Sequence, residues 1–220
     1  MHKFFTVLLL SLACTGAMGQ VKDSLWDNEK KDLKIDMGDS KWDLGMSFGA
    51  TYNYSFNAPS GLSNSGWGLD LSLLEMRWKG WNSGSITMGI LDLMFDWQYM
   101  QKGNKFSNVG VITPASDGKG YRNDFTIGFP VGINQQFGKD FGISLQAVPG
   151  IGLYGYQNEF VENGMRHKDY LYPDKGRVGF RLNLKATIWY SDFGVLVRYN
   201  PLASKDFGTT ILSVGIAFRD

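Results

Sequence analysis

The chain has 220 residues, of which 43% are hydrophobic and 20% are charged, and its formal net charge is +1. This length fits a single domain, and the lack of a basic excess argues against nucleic acid as a partner. Charges are spread along the sequence, which excludes a bundle of membrane helices because each spanning helix needs about 20 consecutive apolar residues.

The N-terminus carries the features of an export signal. Lys3 precedes the apolar run Phe4–Ala13, and a small-residue cleavage site follows at 17–19. This order predicts a secretory signal peptide over residues 1–19, which is too short to anchor the chain in a membrane. A lipoprotein signal using Cys14 is the alternative, but Ser11 stands where such signals usually carry leucine. Cleavage after residue 19 leaves no cysteine, so disulfide bonds play no part.

A charged stretch separates this signal from the rest of the chain. Lysine and aspartate are dense from Val21 to Lys41, with few apolar residues between them. Such a composition is typical of a solvated segment. We predict a charged periplasmic leader at 20–42 in front of one barrel domain at 43–220.

Eight segments of this domain alternate apolar and polar residues, as a β-strand with two unlike faces does. In the clearest one, Val178–Tyr190, 13 residues at about 3.3 Å each and a tilt of about 40° rise about 30 Å, which matches a bilayer's hydrocarbon core. In another segment the phase slips near Leu73-Leu74, which predicts a β-bulge. The predicted strands are Leu44–Phe56, Trp67–Trp78, Ser85–Tyr99, Arg122–Asn134, Ile143–Leu153, Val178–Tyr190, Gly194–Asn200 and Leu212–Arg219.

Long and short connections alternate strictly between the predicted strands, as they do in bacterial outer-membrane barrels. The fold class predicted is all-β, an eight-stranded antiparallel up-and-down transmembrane β-barrel with long loops outside and both termini in the periplasm. A soluble lipocalin-like barrel is the rival, and the placement of Arg181 and Lys185 separates the two. The long connections are Asn57–Gly66, Gln101–Lys119, Gln157–Lys175 and Pro201–Gly208, and the short ones are Lys79–Gly84, Gln136–Asp140 and Ser191-Asp192.

Two groups of residues follow from this arrangement. Aromatic side chains near strand ends are predicted to form girdles at the two membrane interfaces: Trp42, Tyr52, Tyr54, Trp67, Trp78, Trp97, Tyr99, Tyr121, Tyr190 and Tyr199. Charged side chains on the polar face are predicted to form a nearly neutral salt-bridge network in the lumen, since a buried charge must be paired: Asp70, Glu75, Arg77, Asp92, Asp96, Arg122, Asp124, Arg177, Arg181, Lys185 and Arg198.

The signal peptide, the eight alternating segments and the terminal stretch Val214-Gly215-Ile216-Ala217-Phe218 together carry a resemblance. With them the chain resembles the small outer-membrane β-barrel proteins of Bacteroidota, which share the eight-stranded architecture of OmpA and OmpX. The resemblance implies an outer-membrane location, with membrane lipid and lipopolysaccharide around the barrel. It also implies an assembly signal, read by the barrel-assembly machinery, at Val214, Gly215, Ile216 and Phe218. Such chains often end on an aromatic residue, whereas here Arg219 and Asp220 follow Phe218.

The function predicted is that of a non-enzymatic integral outer-membrane protein with a side-chain-filled polar lumen. It would support envelope integrity or make surface contacts through the loops Gln101–Lys119 and Gln157–Lys175. One alternative is a lipid A-modifying enzyme using His167, as some eight-stranded barrels are, and another is a narrow pore. No cofactor or metal is predicted, because the mature chain has one histidine, no cysteine and no calcium-type aspartate spacing. The sequence leaves open the external ligand and the oligomeric state.

Overall fold

The computed structural model describes residues 42–56, 58, 60–81, 83–107, 111–171, 178–204 and 209–219. The predicted signal peptide, the leader up to Lys41 and Arg177 lie outside these residues. Within them no helix is long and apolar enough to cross a membrane. The strands are β1 (Trp42–Phe56), β2 (Leu62–Trp81), β3 (Gly84–Met100), β4 (Asn104–Phe106), β5 (Ile112–Pro114), β6 (Ser116–Gly128), β7 (Val131–Phe137), β8 (Phe141–Glu162), β9 (Met165–Leu171), β10 (Val178–Tyr190), β11 (Phe193–Ser204) and β12 (Thr209–Arg219).

The strands close into a ring with eight positions, and all of its pairings are antiparallel. The ring order is β1, β2, β3, β6 with β7, β8, β10, β11 and β12, and β12 pairs back to β1. Strands β6 and β7 share one position because both lie between β3 and β8. They are separated at Pro130, which has no N–H to donate to the ladder. The predicted eight-stranded antiparallel barrel is confirmed.

The two faces of each strand differ in polarity and in exposure. On β10, Phe180 and Ile188 face outward and are 62% and 51% exposed, whereas Arg181 and Lys185 face the lumen and are 4% and 5% exposed. A soluble barrel needs the reverse arrangement, so the lipocalin-like alternative is wrong. An apolar outer wall around a polar lumen is the architecture of a transmembrane barrel.

The β-bulge predicted at Leu73-Leu74 is present. Glu75 pairs with Gly45 and Ser72 pairs with Ser47, so β2 holds one residue more than β1 across this interval. Leu74 has φ 57° and points outward. The extra residue reverses the phase of β2, which lets Glu75 enter the lumen while both Leu73 and Leu74 face the outer wall.

The two ends of the barrel differ. At one end, called here the turn end, the strands join through short turns at Ser83, Gly138–Asp140 and Ser191-Asp192. At the other, the hairpin end, the strands run further than predicted. The loops expected over Gln101–Lys119 and Gln157–Lys175 are wrong in large part, because they contain β4, β5, the start of β6, the end of β8 and β9. Strand pairing continues there because it satisfies backbone groups that a loop would leave to water.

Candidate functional site

A central ion cluster fills the middle of the lumen, formed by Asp70, Asp92, Asp96, Lys185 and Arg198. The Lys185 ammonium donates to Asp70 at 2.5 Å and also to Asp92. The Arg198 guanidinium donates to Asp96 and lies 3.6 Å from Asp70. Because Asp70 lies between both cations, the pairs form one connected network rather than separate bridges. Alternation on β2, β3, β10 and β11 places these side chains inward.

A second group, the upper ion cluster, lies toward the hairpin end and consists of Arg122, Asp124 and Arg181. Asp124 lies 2.9 Å from Arg122 and 3.5 Å from Arg181. The Arg122 guanidinium also lies over the Tyr154 ring at 4.7 Å. Gly152 makes room for this arrangement, since a Cβ there would come within 2.5 Å of the Arg181 side chain.

Toward the turn end the lumen becomes less polar. Trp189, Leu196 and Ala217 form a buried apolar group, the turn-end layer. The Trp189 indole donates to Ser144 at 3.0 Å. Beside this layer Glu75 pairs with Arg77 at 3.1 Å. The adjoining cavity has a volume of about 20 Å³, which is room for about one water molecule.

The structure places ten of the eleven predicted lumen residues inside the barrel, and the eleventh, Arg177, is not described. Among the ten are five carboxylates and five cations, so these ten residues are formally neutral as a set. Each carboxylate lies within 4 Å of at least one cation. A balanced, connected set is what allows charges to persist away from water.

The hairpin end is closed by apolar residues that sequence reasoning missed. We call this group the hairpin-end cap: Leu62, Met100, Phe106, Tyr154 and Tyr156. The Phe106 ring stacks on Tyr156 with centroids 4.0 Å apart. Asn158 holds the backbone of Phe106 in place, since it accepts from its N–H at 2.8 Å and donates to its carbonyl at 2.6 Å. Tyr154 and Tyr156 continue the inward phase of β8 beyond Leu153, which was a usable signal.

His167 lies on β9, in a segment predicted to be a loop. Its ring stacks on Phe160 with centroids 5.4 Å apart and planes 19° apart. The Lys105 ammonium lies over the Phe160 ring, 3.9 Å from its centroid. Within the described part of the chain, His167 has no serine or carboxylate as a hydrogen-bond partner, and no group of three or more His, Cys, Asp or Glu is placed to hold a metal ion.

The predicted girdle residues whose side chains the structure describes occupy the outer wall. Tyr52, Trp67 and Trp97 are neighbours across three strands, and the Tyr52 and Trp67 rings meet edge to face at 5.6 Å. Tyr54, Tyr99, Tyr121 and Tyr199 also lie toward the hairpin end, with Tyr99 beside Tyr121. Tyr190 is 68% exposed at the turn end, where Trp42 pairs with Trp78 through their backbones.

The terminal strand β12 lies between β1 and β11. Its residues Val214, Ile216 and Phe218 face outward, and Gly215 faces the lumen. Phe218 packs edge to face on Phe193 at 5.5 Å.

Comparison with known proteins gives structural similarities only. No protein-family model and no curated protein matches the chain. The chain is similar to the attachment invasion locus protein Ail of Yersinia pestis in complex with the heparin analogue sucrose octasulfate, at 12% identity and TM-score 0.45, over 82% of this chain and 99% of that one. It is similar to Neisserial surface protein A at 11% identity and TM-score 0.43, over 81% and 97%. It is also similar to the outer-membrane enzyme PagL at 14% identity and TM-score 0.39, over 79% and 97%. No functional residue is carried over from any of them.

Proposed function

We propose that the chain is a non-enzymatic integral protein of the outer membrane that supports envelope integrity or makes surface contacts through its hairpin end. The observation that carries this proposal is the closure of the lumen at successive levels. Between the turn end and the hairpin end lie the turn-end layer, the two ion clusters and the hairpin-end cap. A barrel filled in this way offers its surroundings only its outer wall and its protruding hairpins.

The closure argues against a narrow pore. Arg122 and Arg198 are each 1% exposed, and Asp92 is fully buried. An ion crossing the lumen would have to separate Lys185 from its two carboxylates, which costs several kcal/mol when no water replaces the lost partner. In this proposal the lumen stabilises the barrel and does not conduct.

The hairpin end supplies the contact surface. Strands β8 and β9 join through Asn163-Gly164, where φ is 52° and 74°, as in the two-residue turns that suit the twist of paired strands. Strand β9 pairs with β8 along Met165–Leu171, so this surface is preformed rather than ordered on contact. We also propose that the barrel-assembly machinery reads β12 as its assembly signal, through the outward residues Val214, Ile216 and Phe218 together with Gly215 between them.

A conductance and growth experiment tests the proposal. The refolded chain in planar bilayers should show no steady current, and Arg181→Ala should not create one. Cells lacking the protein should become sensitive to detergents and hydrophobic antibiotics, and the wild-type chain should restore resistance. A steady current that Arg181→Ala alters would instead establish a pore, and unchanged sensitivity would remove the envelope role.

A second variant distinguishes the contribution of the barrel from that of the β8–β9 hairpin. Residues 158–169 can be removed and Gln157 joined to Tyr170 through Asn-Gly, because these two residues pair directly. If this variant restores resistance, the activity lies in the barrel. If it folds normally but does not restore resistance, the activity lies in the hairpin.

The enzyme alternative is tested separately. The number of lipid A acyl chains should be unchanged by His167→Ala, with Met165→Ala as the control on the same face. A change seen only with His167→Ala would establish the enzyme.

A further inference from the structure

The outer wall carries a basic surface directly beyond the aromatic residues of the hairpin end. We call it the outer basic face, formed by Lys119 on β6, Glu159 on β8, and Arg166, Lys168 and Tyr170 on β9. Lys119, Glu159 and Lys168 form one row across the three strands, since Glu159 pairs with both lysines. Arg166 lies in the next row, opposite Val161. All of these side chains share the outward phase of their strands.

The position of this face along the strands is fixed by register. Tyr121, Gln157 and Tyr170 form the row before it, and Tyr121 pairs with Tyr99. Two residues separate successive rows of one face, so the lysines lie about 7 Å beyond the tyrosines along the strand. Aromatic rows of this kind mark the level where hydrocarbon meets headgroups. The cations are therefore placed at the level of lipid headgroups.

The charges of the residues that form this face do not balance one another. Glu159 is the only carboxylate among them, 3.1 Å from Lys119 and 3.7 Å from Arg166. Three cations against one carboxylate leave a formal charge of +2. The side chains remain accessible, with Lys119 56% and Arg166 67% exposed. In the described lumen, by contrast, each of the five predicted carboxylates lies within 4 Å of a cation.

The opposite face of the same sheet shows that this charge is segregated. The inward residues of β9 are Met165, His167, Asp169 and Leu171. His167 packs on Phe160 there, and Lys105 lies 3.9 Å from Glu162. The three cations that outnumber Glu159 thus lie on the side that continues the lipid-facing wall, although either side of a protruding sheet could carry them.

We infer that the outer basic face binds the phosphate groups of an anionic glycolipid of the outer leaflet, of the lipid A class; this inference rests on the proposed outer-membrane location. Lysine and arginine bind phosphate through charge-assisted hydrogen bonds, and arginine does so as a planar fork. Their aliphatic stems can lie along the apolar wall while the charged ends reach the headgroup level. Lys168 lies 6.0 Å above the Tyr170 ring, which holds its charge beside the aromatic row.

Lipid binding by the refolded chain in phosphatidylcholine vesicles tests this inference. The vesicles are doped with lipid A carrying both phosphates or with the same lipid after dephosphorylation, and the lipid retained by the purified barrel is counted by native mass spectrometry. The phosphorylated form should be retained preferentially, and added salt should weaken the preference. Lys119→Gln with Lys168→Gln should reduce retention by about fivefold for each cation removed. Lys79→Gln with Lys139→Gln, which removes equal charge near the turn end, should leave retention unchanged.

A variant that increases the positive charge of the face should have the opposite effect on lipid retention. Glu159→Gln raises the formal charge of the face from +2 to +3 and should increase retention of the phosphorylated lipid. Equal retention of both lipids, an equal loss in the turn-end control, or weaker binding by Glu159→Gln would overturn the inference. Failure of the chain to insert into phosphatidylcholine alone, seen as no change in gel mobility on boiling, would instead contradict the proposed membrane location.

Discussion

Replacing Lys185 by methionine removes the cation that two lumen carboxylates share. The side chains of Lys185, Asp70 and Asp92 are 4%, 5% and 0% exposed, so none can turn to bulk water. Asp70 keeps Arg198 at 3.6 Å. Asp92 keeps only a hydrogen bond from Ser72 at 3.3 Å and loses its cation.

The expected loss of unfolding free energy follows from this difference. Removing one partner of a buried ion pair costs about 3–5 kcal/mol. A cavity of about 20 Å³ lies beside Lys185, and it can grow and admit water when the ammonium is lost. The cost of Lys185→Met should therefore be near the lower end of this range, at about 3 kcal/mol. Asp92→Asn should cost less, about 1–2 kcal/mol, because Lys185 keeps Asp70. The double variant should be more stable than Lys185→Met, since no unpaired carboxylate is then left.

Urea unfolding in phosphatidylcholine vesicles, followed by the mobility difference between folded and boiled protein, measures these free energies. Lys139→Met is the control, because Lys139 lies in the exposed turn Gly138–Asp140 and should cost less than about 0.5 kcal/mol. A loss for Lys185→Met no larger than that of this control would show that the lumen charges do not depend on one another. The same conclusion would follow if the double variant were less stable than Lys185→Met.

Two further predictions concern the hairpin end. Phe106→Ala empties the centre of the hairpin-end cap, where Phe106 is 1% exposed, and a core Phe→Ala change costs about 3–5 kcal/mol. Because β4 and β5 form a separate small sheet, we expect faster proteolysis within residues 101–119 and a smaller change in global unfolding, with Phe137→Ala, 51% exposed at the turn end, as the control; equal cleavage of both variants would contradict the cap. The hydrogen bond from Lys119 lowers the pKa of the Glu159 carboxyl below its usual value of 4.5. Its stabilising contribution is therefore present above the unfolded pKa and is lost as pH falls through the folded pKa. Lys119→Gln should move the Glu159 pKa upward in a carboxyl NMR titration, and an unchanged midpoint would show that the bond is not made in solution.

Sequence pattern was enough to place side chains on the right face of the barrel. Period-2 alternation assigns alternate residues to lipid and lumen, and this put Arg181 and Lys185 inside without knowledge of their partners. The pairing itself was not predictable, since Lys185 meets Asp70 and Asp92 across 115 and 93 residues of sequence. Those contacts depend on the register of several strands taken together, which no single segment encodes.

Strand ends were predicted less well than strand faces. The fifth predicted strand stopped at Leu153, although the inward phase continues through Tyr154, Tyr156 and Asn158. Asn163-Gly164 was a further signal for the β8–β9 hairpin, since this dipeptide favours a two-residue turn. Phe106, the residue that β4 contributes to the hairpin-end cap, had no comparable local signal. Phe106 is buried because β4 folds over the lumen, and that contact joins residues that lie 50 apart on the chain, such as Phe106 and Tyr156.

The distribution of charge in the barrel explains why its interactions should be sought outside. Lipid requires an apolar outer wall, so the charges of a membrane barrel must lie in the lumen or at the headgroup level and beyond. Among the ten predicted lumen residues that the structure describes, five carboxylates meet five cations, so this set has no net formal charge to attract a solute. Within the outer basic face, by contrast, three cations meet one carboxylate, which leaves a formal charge of +2. Electrostatic free energy is therefore available for binding at that face, where phosphate would supply the missing charge. In the lumen any ligand would first have to displace an existing buried ion pair.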